Sequence, residues 1–112
     1  MRVLFLPEIQ EYFYELEIVL YEKEYFGFED TAHEYVDDLI FDIKENLPYV
    51  RHKPAPEYYD KYGKELYYAI FKKNKRTQWY AFFSKYVAGG ETIYLVCYIG
   101  NTHTDAHHLE PA

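Results

Sequence analysis

Two stretches with helical periodicity occupy the front of the chain, and a series of strand-like runs occupies the back. Ile9, Tyr12, Phe13, Leu16, Val19 and Leu20 recur at three- and four-residue steps, with Glu8, Glu11, Glu15 and Glu22 falling between them. On a helix that spacing gathers the apolar set into one stripe and turns the acids to water. Pro7 suits the first turn, and Gly27 is the expected stop, because glycine readily takes the left-handed conformation that follows many helix ends. A second stripe follows in Ala32, Tyr35, Val36, Leu39, Ile40, Ile43 and Leu47, closed by Pro48. Thr31 and Glu34 stand at the spacing of a reciprocal cap, so this helix is expected to begin there or a few residues earlier. The connection is short, which predicts an antiparallel helical hairpin.

Strand signals flank this pair. Arg2 to Leu6 is a short apolar run ended by Pro7 and reads as a first strand. Residues 48–63 contain prolines and a glycine without periodicity, and read as an extended connection. Leu66 to Lys72 and Gln78 to Tyr86 are aromatic strands joined by the polar segment Lys73-Asn74-Lys75-Arg76-Thr77, of hairpin length. Val87 to Glu91, with Gly89-Gly90 inside it, reverses the chain again. Thr92 to Ile99 is so continuously apolar that a central strand covered on both faces is expected. After Gly100 the sequence is polar and rich in histidine, with no clear element type. The prediction is an α+β fold of order β-α-α-β-β-β: an N-terminal strand, then a two-helix hairpin packed on a mostly antiparallel sheet of about four strands.

With 112 residues and 49% hydrophobic content, the chain has the length and apolar surface of one domain. Its single cysteine, Cys97, rules out an intramolecular disulfide, which suits a reducing compartment such as the cytosol. The apolar run at Met1 to Leu6 is too short for a signal-peptide core, and no run approaches membrane-spanning length, so no membrane partner is expected. The net charge of −7 hides a division. Residues 1–50 hold 13 acids against Arg2, Lys23 and Lys44, whereas residues 51–112 hold nine Lys and Arg against six acids. Nonspecific nucleic-acid binding by the whole surface is thereby disfavoured, and any anion-binding surface belongs to the second half.

The element order, together with a basic turn ahead of the penultimate strand, resembles the RelE/ParE superfamily of bacterial toxins, and most closely its HigB-like branch. The likeness extends over nearly the whole chain and rests on Leu66-Tyr67-Tyr68-Ala69-Ile70-Phe71, on Asn74-Lys75-Arg76-Thr77-Gln78 with the aromatic run to Phe83, on Gly89-Gly90 with the strand to Val96, and on Cys97 to Thr104. It implies a toxin that cleaves messenger RNA at the ribosome, or poisons DNA gyrase, and is held inactive by a cognate antitoxin protein. Arg76 matches the first arginine of the family motif. The second arginine falls on Gln78, the strand-end histidine on Cys97, and the lysines after it on Asn101 and Thr102. Those departures leave open a noncatalytic descendant of the fold that binds a protein.

Cleavage of RNA by a ribose hydroxyl needs a group to take that proton, a group to protonate the leaving oxygen, and cations over the phosphate. Arg76 is the leading phosphate candidate, since a guanidinium can engage two oxygens at once, and Lys72, Lys73, Lys75 and Lys85 accompany it in the hairpin and its following strand. A hairpin tip also carries cations merely for solubility. Histidines exchange protons near neutrality, so His103 is the first candidate acid or base, with His107 and His108 further along and Tyr80 second provided its ring faces outward. His103, Asp105 and His107 would approach a metal set only on a helix, and no metal or cofactor is expected. Cys97, within an apolar strand, reads as a buried filler. The aromatic content of 21% offers rings for stacking on bases, although core packing accounts for most of it.

Overall fold

The computed structural model describes residues 1–22, 29–73 and 77–109. Its elements are β1 (Arg2–Phe5), α1 (Pro7–Glu22), α2 (Glu29–Asn46), β2 (Lys53–Pro54), β3 (Tyr67–Lys72), β4 (Gln78–Ala88), β5 (Glu91–Asn101) and α3 (Thr102–Leu109), with 3-10 turns at Leu47–Tyr49 and Glu57–Tyr62. They form an α+β fold whose single sheet has the order β1-β5-β4-β3-β2. β1 lies parallel to β5, and the remaining pairs are antiparallel.

The two amphipathic helices form as their stripes require. Ile9 and Phe13 of α1 and Val36, Leu39 and Ile43 of α2 are buried against Ala69, Phe71, Trp79, Ala81, Phe83, Tyr94, Val96 and Ile99 of the sheet. Burying one such aliphatic or aromatic side chain contributes about 1.5–3 kcal/mol, so this layer dominates the stability of the fold. Late α1 meets early α2, where His33 Nδ1 lies 2.7 Å from Glu17 Oε1, and the helices are therefore antiparallel. The expected stop at Gly27 lies outside the described residues. Helix α2 already runs at Glu29, two residues ahead of Thr31, so the Thr31–Glu34 pair lies within the helix.

β4 and β5 are one long hairpin closed by Gly89 and Gly90, with φ of +59° and +76°. Positive φ at both central positions is what a two-residue turn needs to match the twist of its strands. The pairing jumps from Phe82↔Tyr98 to Phe83↔Val96, which leaves Cys97 as the extra residue of a bulge. β5 has strand neighbours on both sides, as its apolar run requires, and the N-terminal strand takes the edge.

Three features depart from the sequence prediction. The sheet has five strands, because residues 48–63 contribute the two-residue β2. The same stretch contains the 3-10 turn Glu57–Tyr62, whose Tyr59 is fully buried on the sheet face opposite α1 and α2. The polar tail folds as α3. Tyr59, Leu66, Tyr68, Tyr80 and Phe82 form a second apolar cluster on that opposite face, flanked by Ala55, Cys97, Tyr98 and Leu109. Residues 55–66 and α3 therefore roof this part of the sheet. Among the described residues no helix is long and apolar enough to cross a membrane.

Candidate functional site

The start of α3 is built from side chains that the sequence places directly after β5. Asn101 is its N-cap: Oδ1 accepts the backbone N–H groups of His103 at 2.8 Å and Thr104 at 3.2 Å, two of the donors a helix start leaves without partners. Asp105 answers by accepting the Asn101 N–H at 3.1 Å on Oδ2. Thr102 ties this turn to β4. Its hydroxyl accepts the Gln78 N–H at 2.8 Å and donates to the Gln78 carbonyl at 3.1 Å.

Asp105 is the only polar or charged residue buried among those described, at 2% exposure. The hydroxyls of Tyr59 and Tyr98 donate to its Oδ1 at 2.9 and 3.2 Å, and Thr104 Oγ1 donates to Oδ2. All its partners are donors, which suits a carboxylate able to accept on both oxygens. Burial and then the neighbouring carboxylate push the Tyr59 phenol well above its ordinary pKa, and burial does the same for Tyr98. Gly100 makes the arrangement possible, because a methyl group there would collide with the Asp105 carboxylate. Around this network Tyr59 stacks on Phe82 at 4.1 Å, Tyr62 on Tyr98 at 4.0 Å, and Tyr58 on His108 at 3.6 Å between ring centroids.

This framework decides where each candidate residue lies. His103 is exposed on the first turn of α3, with Nε2 3.4 Å from Thr77 Oγ1. The helix thus brings His103 against the end of the basic hairpin, closed by the Lys73 N–H donating to the Thr77 carbonyl at 3.1 Å. Lys75 and Arg76, with Asn74, lie outside the described residues; Arg76 directly precedes Thr77 in sequence. Lys72 is exposed at the end of β3. Lys73 Nζ lies 5.0 Å from the ring centre of Tyr35, whose hydroxyl accepts the Trp79 indole N–H at 2.9 Å.

Two candidates fall outside this site, one by distance and one by burial. Lys85 is seven residues along β4 from Gln78, roughly 23 Å at strand rise, with Nζ 5.6 Å from the ring centre of Tyr94. Tyr80 does not meet its condition: it is 5% exposed, packed edge-on against Tyr68, because the face it shares with Phe82 is roofed. Cys97 is half-buried, and burial raises its thiol pKa, as a filler's would be. His103 and His107 do share a face now that the segment is helical, but Asp105 turns inward between them. Among the described residues no group of three or more His, Cys, Asp or Glu side chains is arranged to hold a metal ion.

What sequence reading missed is the network: Asp105, weighed there only as a metal ligand, is the buried acceptor of Tyr59 and Tyr98. One signal was present: Asn101 followed by an acid within one turn is a helix-start pattern. Nothing local marks Tyr59, which arrives from 46 residues earlier. Comparison with protein-family models, with curated proteins and with solved structures gave no match.

Proposed function

We propose that the chain is the toxin member of a RelE/ParE-type toxin-antitoxin pair and cleaves messenger RNA at the ribosome. The observation that carries this reading is the 3.4 Å approach of His103 to Thr77, which sets an exposed imidazole beside the basic hairpin. Neutral His103 takes the proton of a ribose 2′-hydroxyl as its oxygen attacks the adjacent phosphorus. The bond from phosphorus to the 5′-oxygen breaks, and the imidazolium returns the proton to that oxygen, leaving a cyclic phosphate and a 5′-hydroxyl. Arg76 and Lys75, with Lys72 and Lys73, neutralise the charge that builds on the phosphate. Tyr80 has no part in this scheme. The element order of the fold and the concentration of cations in the second half support the same reading. A cognate antitoxin protein is then the inhibitory partner, and no step calls for a cofactor.

A second reading has its own support. The roofed sheet face, the buried Tyr80 and the bulged Cys97 in the place of a family histidine leave His103 as the one described proton-exchanging side chain beside the hairpin. A noncatalytic module that binds a protein needs no more than this. Induced expression of the wild type, His103→Ala, Arg76→Ala and the distant control Lys85→Ala separates the readings. Growth arrest with cut messages, lost in the first two variants and kept in the third, is the outcome expected of the nuclease. Arrest with DNA-damage induction and intact messages would move the chain to the gyrase-poisoning branch, and no arrest would favour the binding module.

A further inference from the structure

Helix α1 carries a second apolar stripe, on the side turned away from the sheet. Tyr14, Ile18 and Tyr21 follow one another at four and three residues and are 68%, 41% and 44% exposed. That spacing places them on one line along the helix, opposite Ile9 and Phe13, which face the core. Single exposed hydrophobic residues are ordinary on a protein surface, whereas an aligned set of three with two aromatic rings is not. The stripe borders a shallow groove of about 250 Å³ lined by Tyr14, Glu17, Ile18, Tyr21 and Glu22.

Helix α1 itself carries charge of one sign. Helix α1 has five glutamates, Glu8, Glu11, Glu15, Glu17 and Glu22, and no Lys or Arg. Helix α2 has seven acids and one lysine, Lys44. A nucleic acid is repelled by such a surface. A second copy docking stripe to stripe would bring the same glutamates face to face, because a two-fold contact uses one patch twice. Of the remaining described cations, Arg2 lies on β1 and the others in the second half on strands, turns and loops, and none flanks an apolar helical stripe that could fill the groove heterologously.

The geometry points to α1 as a docking surface for a basic amphipathic helix of a partner protein, with aliphatic side chains seated along Tyr14, Ile18 and Tyr21 and Lys or Arg against the flanking glutamates. Aromatic residues at the centre supply binding energy, and the acids supply charge selection and salt dependence. The surface lies on the helical side of the sheet and does not depend on whether the hairpin and His103 cut RNA.

The test uses the full chain and a labelled synthetic helix bearing a leucine stripe flanked by lysines, followed by fluorescence anisotropy. A matched helix with glutamates in place of the lysines is the control. The lysine helix should bind and the glutamate helix should not, with affinity falling as salt rises. Tyr14→Ala and Ile18→Arg should each weaken binding about tenfold or more. Because both positions face solvent, circular dichroism and the thermal midpoint should match the wild type, which separates lost docking from lost folding. Equal binding of the two helices, or binding indifferent to Ile18→Arg in the folded variant, overturns the proposal. Concentration-dependent dimerisation abolished by Ile18→Arg, or binding to anionic lipid vesicles abolished by it, also overturns it by assigning the stripe to another occupant.

Discussion

Replacing Asp105 by alanine removes one acceptor from four donors at once, and the size of the loss follows from where those donors sit. Leaving a buried donor without a partner costs about 1–3 kcal/mol. Tyr59 is fully buried, and Tyr98 and the Asn101 amide are half-buried. Counting the first in full and the other two near the lower bound gives about 3–5 kcal/mol. That is a large part of the 5–15 kcal/mol typical of a folded domain. Equilibrium unfolding in urea measures it, provided the slope of the transition stays constant. A double-mutant cycle gives the sharper reading. Tyr59→Phe should cost about 1.5–3 kcal/mol in the wild type, where its hydroxyl bonds a carboxylate, and nothing in Asp105→Ala, where that hydroxyl is an orphan. Gly100→Ala should follow the same logic, destabilising the wild type by displacing the carboxylate and being tolerated once Asp105 is alanine. Equal costs of Tyr59→Phe in both backgrounds, or a loss below about 1 kcal/mol for Asp105→Ala, would refute the claim that this carboxylate holds α3 to the sheet.

Alkaline pH should test the same cluster: Tyr59 and Tyr98 have raised pKa values, so folding keeps their protons, and their contribution is complete below the unfolded tyrosine pKa near 10 and is lost as pH rises beyond it. Ultraviolet titration should accordingly show the Tyr59 and Tyr98 phenols among those that ionise only with unfolding. Cys97, whose pKa is raised by burial, should react with iodoacetamide more slowly than a free thiol at mildly alkaline pH and reach the free rate in denaturant. Gly90→Ala should cost about 1–2 kcal/mol by urea unfolding, wholly from the positive φ, since a methyl group there meets no atom within 4 Å. Tyr35→Phe should cost about 1–3 kcal/mol by the same measurement, because it strips the acceptor from the indole N–H of Trp79, a residue only 4% exposed.

The two helices, the Gly89–Gly90 reversal and the late strands were legible along the chain because each is set by short-range physics. A stripe at helical period has one way to bury itself, and adjacent glycines relieve a backbone strain that other residues cannot. The tail was not legible as a helix, because α3 has eight residues and its start depends on Asn101 accepting the His103 and Thr104 amides while Asp105 accepts the Asn101 amide. Both faces of β4 read as apolar, so periodicity could not say whether Trp79 or Tyr80 looked outward. The structure shows both buried, since residues 55–66 roof the face that α1 and α2 leave uncovered.

Local sequence therefore determined the two long helices, the first strand and the three late strands, and that basic residues cluster at one hairpin. Tertiary structure alone decided that Asp105, an ordinary solvated acid by its neighbours, is enclosed by tyrosines from a distant turn and from β5. It also decided that Lys85 lies far from His103 while Thr77 touches it. The reason is the range of the forces: periodicity and capping act within a turn or two, whereas burial depends on what the rest of the chain brings alongside.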